Sequence, residues 1–235
     1  MMLEKSDEIL KKITSIKNDF LAKRKKIEVE FFKNKKGLEC CKKNSDLTDL
    51  LIRKIFFIIK GINNFDKNFL ICAVGGYGRK HLAPFSDIDL LFAYDQKISK
   101  KELRVIIEFI LYSLWDIGLK IGYAVRTFEE INLFSKKDQV IKTSILDARV
   151  VFGSKLVFNK IMRNFVEEFT TDSKIFLKEK ICERKKSIQN LGFDYFKNEP
   201  NLKESEGSLR DINLIYWGLK ILNISQKKNI KNSNK

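Results

Sequence analysis

The stretch "AVGGYGRKHLAPFSDIDLLFAYD", residues 73–95, decides how the chain is read. It sets glycines at 75, 76 and 78 and aspartates at 87 and 89 into a segment otherwise suited to buried strands. "FLICAV" (69–74) is a short apolar run of strand formers that stops at the glycines, and "IDLLFAY" (88–94) is a second such run. Side chains alternate along a strand, so Asp87 and Asp89 share one face with Cα atoms about 6.6 Å apart, while Ile88 and Leu90 face the other way. Carboxylates about 4 Å apart repel by about 4 kcal/mol at an effective dielectric of 20, a conflict that a divalent cation removes. Hard oxygen donors of this kind suit Mg²⁺ or Mn²⁺, which clamp nucleotide phosphates. Without Cβ atoms, Gly75, Gly76 and Gly78 let the backbone approach a triphosphate closely and point N–H groups at it. Arg79 is placed to add charge-assisted hydrogen bonds to the same phosphates. Other glycine-rich signatures fail on spacing: there is no G-x-x-x-x-G-K-[ST], and G-x-G-x-x-G would need glycine where His81 stands.

Working outward, "KKELRVIIEFILYSLWD" (100–116) reads as a helix with Leu103, Ile106, Ile107, Ile110, Leu111 and Leu114 on one face. Gly118 closes it, and "LKIGYAVRTF" (119–128) makes a third strand. Strand, strand, helix, strand gives a small mixed α/β sheet. Upstream, Ile9, Ile13, Ile16 and Phe20 form one helical stripe, and Leu47, Leu50, Leu51, Ile55 and Ile58 form another after a start signal at Ser45/Asp46. Downstream, helices are expected over roughly 138–151, 154–169, 173–190 and 208–222, with an irregular piece at 197–207. The expected organisation is a helical segment over 1–64, an α/β core over 65–130, a helical segment over 131–225 and a polar tail over 226–235.

Composition bounds the rest. At 235 residues the chain can bury a sizeable core. No secretory h-region opens it and no run of eighteen apolar residues occurs, so a membrane partner is not expected and the cytoplasm is. Cys40, Cys41, Cys72 and Cys182 lack metal or disulfide spacing and read as reduced thiols, with Cys72 buried in a strand. The formal charge of +16 rests on 37 lysines against 9 arginines, a compositional bias rather than the mark of a nucleic-acid surface.

A Gly-Gly pair followed about ten residues later by Asp-x-Asp on a strand resembles the nucleotidyltransferase superfamily that includes DNA polymerase β. The fuller strings "VGGYGR" and "PFSDIDLL" are similar to a narrower group, the bacterial [protein-PII] uridylyltransferase/uridylyl-removing enzymes. "WDIGLKIGYAVRTFEE" (115–130), "LDARVVFGS" (146–154) and "NEPNLKESEGSLRDINLIYW" (198–217) resemble that group in the same order. The resemblance implies a polymerase β-type sheet flanked by helical segments. It also implies Mg²⁺-dependent transfer of UMP from UTP to a tyrosine of the PII signalling protein, with release of pyrophosphate. Asp87 and Asp89 would hold the metal, Gly75 and Gly76 would cradle the triphosphate, and Ser86 would be a turn residue placing the strand.

Departures from the family pattern are visible too. Residues 117–128 contain no acid to serve as a third carboxylate, leaving Glu129, Glu130 and Asp147 as the nearest candidates, with an Asp147–Arg149 ion pair as an equal reading. Tyr123 stands where the family has His, and Ser208 where it has Gly. Full family enzymes continue into an HD phosphohydrolase domain and two ACT domains. With His81 as its single histidine, this chain is not expected to remove uridylyl groups. Arg210 and Asp211 could line the acceptor side, or form a helix-starting turn with an ion pair. Three further readings stay open: a transferase of AMP to another acceptor, a catalytically silent nucleotide-binding module, and a basic nucleic-acid binder.

Overall fold

The structure, a computed structural model, describes residues 2–59, 68–191, 199 and 201–233. Helices α1 (Met2–Asn34) and α2 (Gly37–Ile58) precede β1 (Phe69–Ala73), a single helical turn α3 (Gly75–Gly78), β2 (Ile88–Tyr94), α4 (Lys100–Asp116) and β3 (Ile121–Thr127). Then follow α5 (Phe128–Lys137), α6 (Gln139–Leu146), β4 (Arg149–Gly153), α7 (Lys155–Leu191) and α8 (Leu209–Ser233). The strands form one mixed sheet in the order β3-β2-β1-β4, with β2 and β3 parallel and the other two pairs antiparallel. This is the expected α+β class.

Contacts divide the chain into two compact units, Met1–Leu133 with Asp147–Lys160, and Phe134–Leu146 with Ile161–Lys235. The sheet, α1, α2 and α4 lie in the first. β1 is buried along its whole length, as an unbroken apolar run requires of a central strand. All six apolar residues expected on one face of α4 are buried against the sheet, together with Leu51, Ile52 and Ile55 of α2. Phe69 stacks on Phe92 across β1 and β2, and Phe56 of α2 meets Phe152 of β4 with ring centroids 3.8 Å apart.

Three local expectations are corrected. The segment to 151, read as the end of a helix, instead leaves α6 at Leu146 and becomes β4. "RVVFG" is short, β-branched and aromatic, and it pairs with the edge of β1 left open by β2. The Ser45/Asp46 start signal lies inside α2: Ser45 and Thr48 donate their hydroxyls back to the carbonyls of Cys41 and Asn44, each at 2.8 Å, which lets a helix carry such residues. The two helices expected over 154–190 are one continuous α7. The segment between the third strand and α6 is helical as α5. Thr127 and Glu130 start it as a capping box, each side chain accepting the other's backbone N–H at 3.0 and 2.8 Å.

All four cysteines are free thiols, as expected. Burial pushes the Cys72 thiol up to about 12, whereas Cys182 is exposed on α7. In a thiol-titration assay at pH 8, Cys182 is expected to react readily and Cys72 only on unfolding. Prompt labelling of Cys72 in the folded protein would contradict this burial.

Candidate functional site

Sheet pairing brings the glycines and the acids together. β1 and β2 run antiparallel with Ala73 opposite Leu90, so the chain leaves β1 beside the start of β2, where the Val74 N–H donates to the Asp89 carbonyl at 3.1 Å. Gly75 follows with φ +57°, a left-handed conformation that favours glycine, and a Cβ there would lie 3.2 Å from Asp89 Oδ2. On the other side, β3 sets Gly122 opposite Asp89, where a Cβ would lie 2.6 Å from Asp89 Oδ1. The Asp89 carboxylate is thus bounded by two residues that have no side chain. Asp87 and Asp89 are exposed, while Ile88 and Leu90 are 2% and 1% exposed, the alternation that the strand period demands.

The loop between bend and acids is held by its own backbone. Gly78 N–H donates to Val74 O at 2.9 Å, Arg79 N–H to Gly75 O at 3.2 Å, and His81 N–H to Gly76 O at 2.8 Å. Ser86 N–H closes the turn Ala83–Ser86 onto the Ala83 carbonyl at 3.2 Å, with Pro84 and then Phe85 at its corners. Phe85 takes φ +65° and is 80% exposed, its ring lying 5.3 Å from the Arg24 guanidinium. Burial and the nearby Arg79 charge hold the His81 imidazole below its usual range, so it is neutral at pH 7.

Two of the expected site residues face elsewhere. Arg79 makes a short ion pair with buried Asp147, and its side chain is 9% exposed, so its charge is committed to the interior rather than to an incoming phosphate. Asp147 thus pairs with Arg79, and Arg149 pairs with Asp49. Gly78 is buried: a Cβ there would run into the Asp147 carbonyl and lie 2.9 Å from the Ala73 carbonyl, so close packing is what requires this glycine. Gly75, Gly76, Ser86, Asp87 and Asp89 remain on the open side or partly exposed.

No third carboxylate joins them among the described residues. The β3 positions on the Asp89 face are Gly122, Ala124 and Arg126, Glu130 caps α5, and Asp147 is paired inside. Among the described residues no group of three or more His, Cys, Asp or Glu side chains could hold a metal. The Asp87/Asp89 pair nonetheless fits Mg²⁺, which takes one or two carboxylates and completes its octahedron with water and substrate phosphates. In the second unit, Asp211 pairs with Arg184 at 2.5 Å and accepts the Gly207 N–H at 2.6 Å, while Arg210 pairs with Glu204 at 3.1 Å. These contacts gather at the turn that starts α8.

Comparison with known proteins then decides the family. The model of the nucleotidyltransferase domain matches residues 52–177, more than half of the chain and all of the sheet. The chain belongs to the nucleotidyltransferase family. This nucleotidyltransferase also matches the model of the GlnD PII-uridylyltransferase over residues 175–234. It is 36% identical over 206 residues to a bifunctional uridylyltransferase/uridylyl-removing enzyme of Azospirillum brasilense, covering 85% of this chain and 22% of that one. A protein of the same description from Caulobacter vibrioides is 37% identical over 188 residues, covering 77% of this chain and 20% of that one. The chain spans about a fifth of the length of these relatives. A crystal structure of a toxin–antitoxin with AMP-PNP aligns over 48% of this chain and 86% of that one at 13% identity, with a TM-score of 0.29, too slight a likeness to argue from.

Sequence reasoning missed Gly122, Asp49 and Tyr77, and it read Arg149 only as a partner of Asp147, whereas Arg149 pairs with Asp49. A glycine inside "KIGYAV" was the signal for Gly122, since glycine in a strand marks a close approach. For the other three nothing local would have served, because residues 49, 77 and 149 meet only in the folded chain.

Proposed function

We propose that the chain is a Mg²⁺-dependent, cytoplasmic uridylyltransferase that moves UMP from UTP to a tyrosine of the PII signalling protein. The observation that supports it best is the Asp89 carboxylate lying against the Gly75 bend, in a chain whose relatives are uridylyltransferases. Asp87 and Asp89 hold the metal, while the backbone of Gly75 and Gly76 receives the phosphate chain and Ser86 sets the strand. A Mg²⁺ held by these carboxylates would supply neutralisation of phosphate charge. The tyrosine oxygen attacks the α-phosphorus in line, the bond from that phosphorus to the bridging oxygen breaks, and pyrophosphate leaves as the phenolic proton passes to solvent. Most of the gain comes from positioning and charge neutralisation.

The test is incubation with PII, Mg²⁺ and each of UTP, ATP, CTP and GTP carrying a labelled α-phosphate. UMP alone should appear on PII; transfer from ATP would make the protein an AMP transferase. Gly122→Ala is expected to lower UMP transfer by about 10–100-fold, because its Cβ would displace the Asp89 carboxylate. Unchanged turnover would place the metal elsewhere. A second reading is favoured by the acid-free β3 face: a nucleotide-binding module without transfer, recognised by UTP binding with no pyrophosphate release.

A further inference from the structure

The Gly75–Gly78 turn holds three glycines in four residues, a sequence too pliant to keep a fixed shape unaided. Behind it lies a polar cluster of a kind that a sheet–helix interface rarely contains. Asp49, on the core side of α2, is 5% exposed, and Tyr77, the one turn residue with a side chain, is 1% exposed. The Tyr77 hydroxyl donates to Asp49 Oδ1 at 2.6 Å. Arg149, the first residue of β4, grips the same carboxylate with both ends of its fork, Nη1 to Oδ2 at 2.5 Å and Nη2 to Oδ1 at 3.0 Å. The same guanidinium donates from Nε to the Gly78 carbonyl at 3.3 Å and from Nη2 to the Tyr77 carbonyl at 3.4 Å, and lies 5.4 Å from the centre of the Tyr77 ring.

We propose that Asp49, Tyr77 and Arg149 are positioning residues: a buried clamp that fixes the glycine turn in the shape that receives the nucleotide's phosphates. This rests on the nucleotide-site reading above. A carbonyl held from behind fixes its whole peptide plane, so two anchored carbonyls and one anchored side chain leave the turn little freedom. Burial, and then the Asp49 charge, raise the Tyr77 phenol well above its usual range, so it stays a donor. A buried ion pair is weak support for stability in itself, since well-packed apolar residues do as well. What this one supplies is geometry at a turn that cannot supply its own. The same flank of α2 extends the hold along the loop, with Ser45 Oγ accepting the Leu82 N–H at 3.3 Å and Asp46 pairing with Lys80 at 2.6 Å.

Tyr77→Phe removes one hydroxyl and Arg149→Lys keeps the charge but loses the fork. In each variant, hydrogen exchange is followed without nucleotide, and the Kd for UTP with Mg²⁺ is measured at a temperature where circular dichroism shows the protein folded. The amides of residues 75–79 should exchange about tenfold faster while those of β1 and β2 keep their protection, and the Kd should rise about tenfold. Two outcomes overturn the clamp: unchanged exchange at 75–79 in both variants, or unchanged Kd in both against a wild type that binds. A wild type that does not bind UTP overturns the nucleotide reading instead, and exchange alone then decides the clamp. Should Arg149→Lys fail to fold, Asp49→Asn takes its place with the same expected results.

Discussion

Asp89→Asn is expected to lower UMP transfer by about a thousandfold with no loss of stability. The substitution keeps the side chain's size and removes one of the two charges proposed to hold the metal, a loss of the magnitude seen when a single charge-stabilising group is taken from a transition state. Asp89 is exposed and the substitution is isosteric, so the buried packing is untouched. The Tm should therefore stay nearly level, which separates a functional residue from a structural one. Asp87→Asn should behave alike. The readouts are labelled UMP on PII and a thermal melt; substantial transfer by both variants would remove these residues from the chemistry.

Gly78→Ala should produce the opposite pattern, a loss of stability of about 3 kcal/mol or more, seen as a fall in Tm of about 6–12 °C. Its Cβ would enter space held by the backbone carbonyls of Asp147 and Ala73, and backbone cannot step aside as the end of a flexible side chain can. Gly76→Ala, two residues earlier, places its Cβ an ordinary 3.7 Å from the His81 carbonyl and should cost less than about 1 kcal/mol. Its expected effect is on UTP affinity. One substitution type on one turn thus separates the packing glycine from the ligand-facing glycine. Equal stability losses in the two variants would contradict the distinction.

The parts of this protein that were legible in its sequence are those governed by local period. The burial of Ile88 and Leu90, alternating with exposed Asp87 and Asp89, follows from strand alternation, and the buried face of α4 from helical spacing. β4 was missed because five residues of "RVVFG" cannot show a period, and its reason for being a strand lies in the open edge of β1. Arg79 was assigned to phosphate because an arginine beside glycines invites it; the carboxylate it meets comes from Asp147, far along the chain. Asp49 was invisible for the same reason. A buried acid on a helix reads as a surface residue until the tyrosine and arginine that satisfy it are brought alongside.

The central claim is that the glycine bend and the Asp87/Asp89 pair form one Mg²⁺–nucleotide site. Calorimetric titration of the wild-type protein and of Asp89→Asn with UTP, with and without Mg²⁺, tests it most directly. The account predicts that UTP binds the wild type only when Mg²⁺ is present, and that Asp89→Asn loses that affinity. Metal-independent binding that the substitution leaves untouched, or no affinity of the wild type for any nucleoside triphosphate, would contradict it.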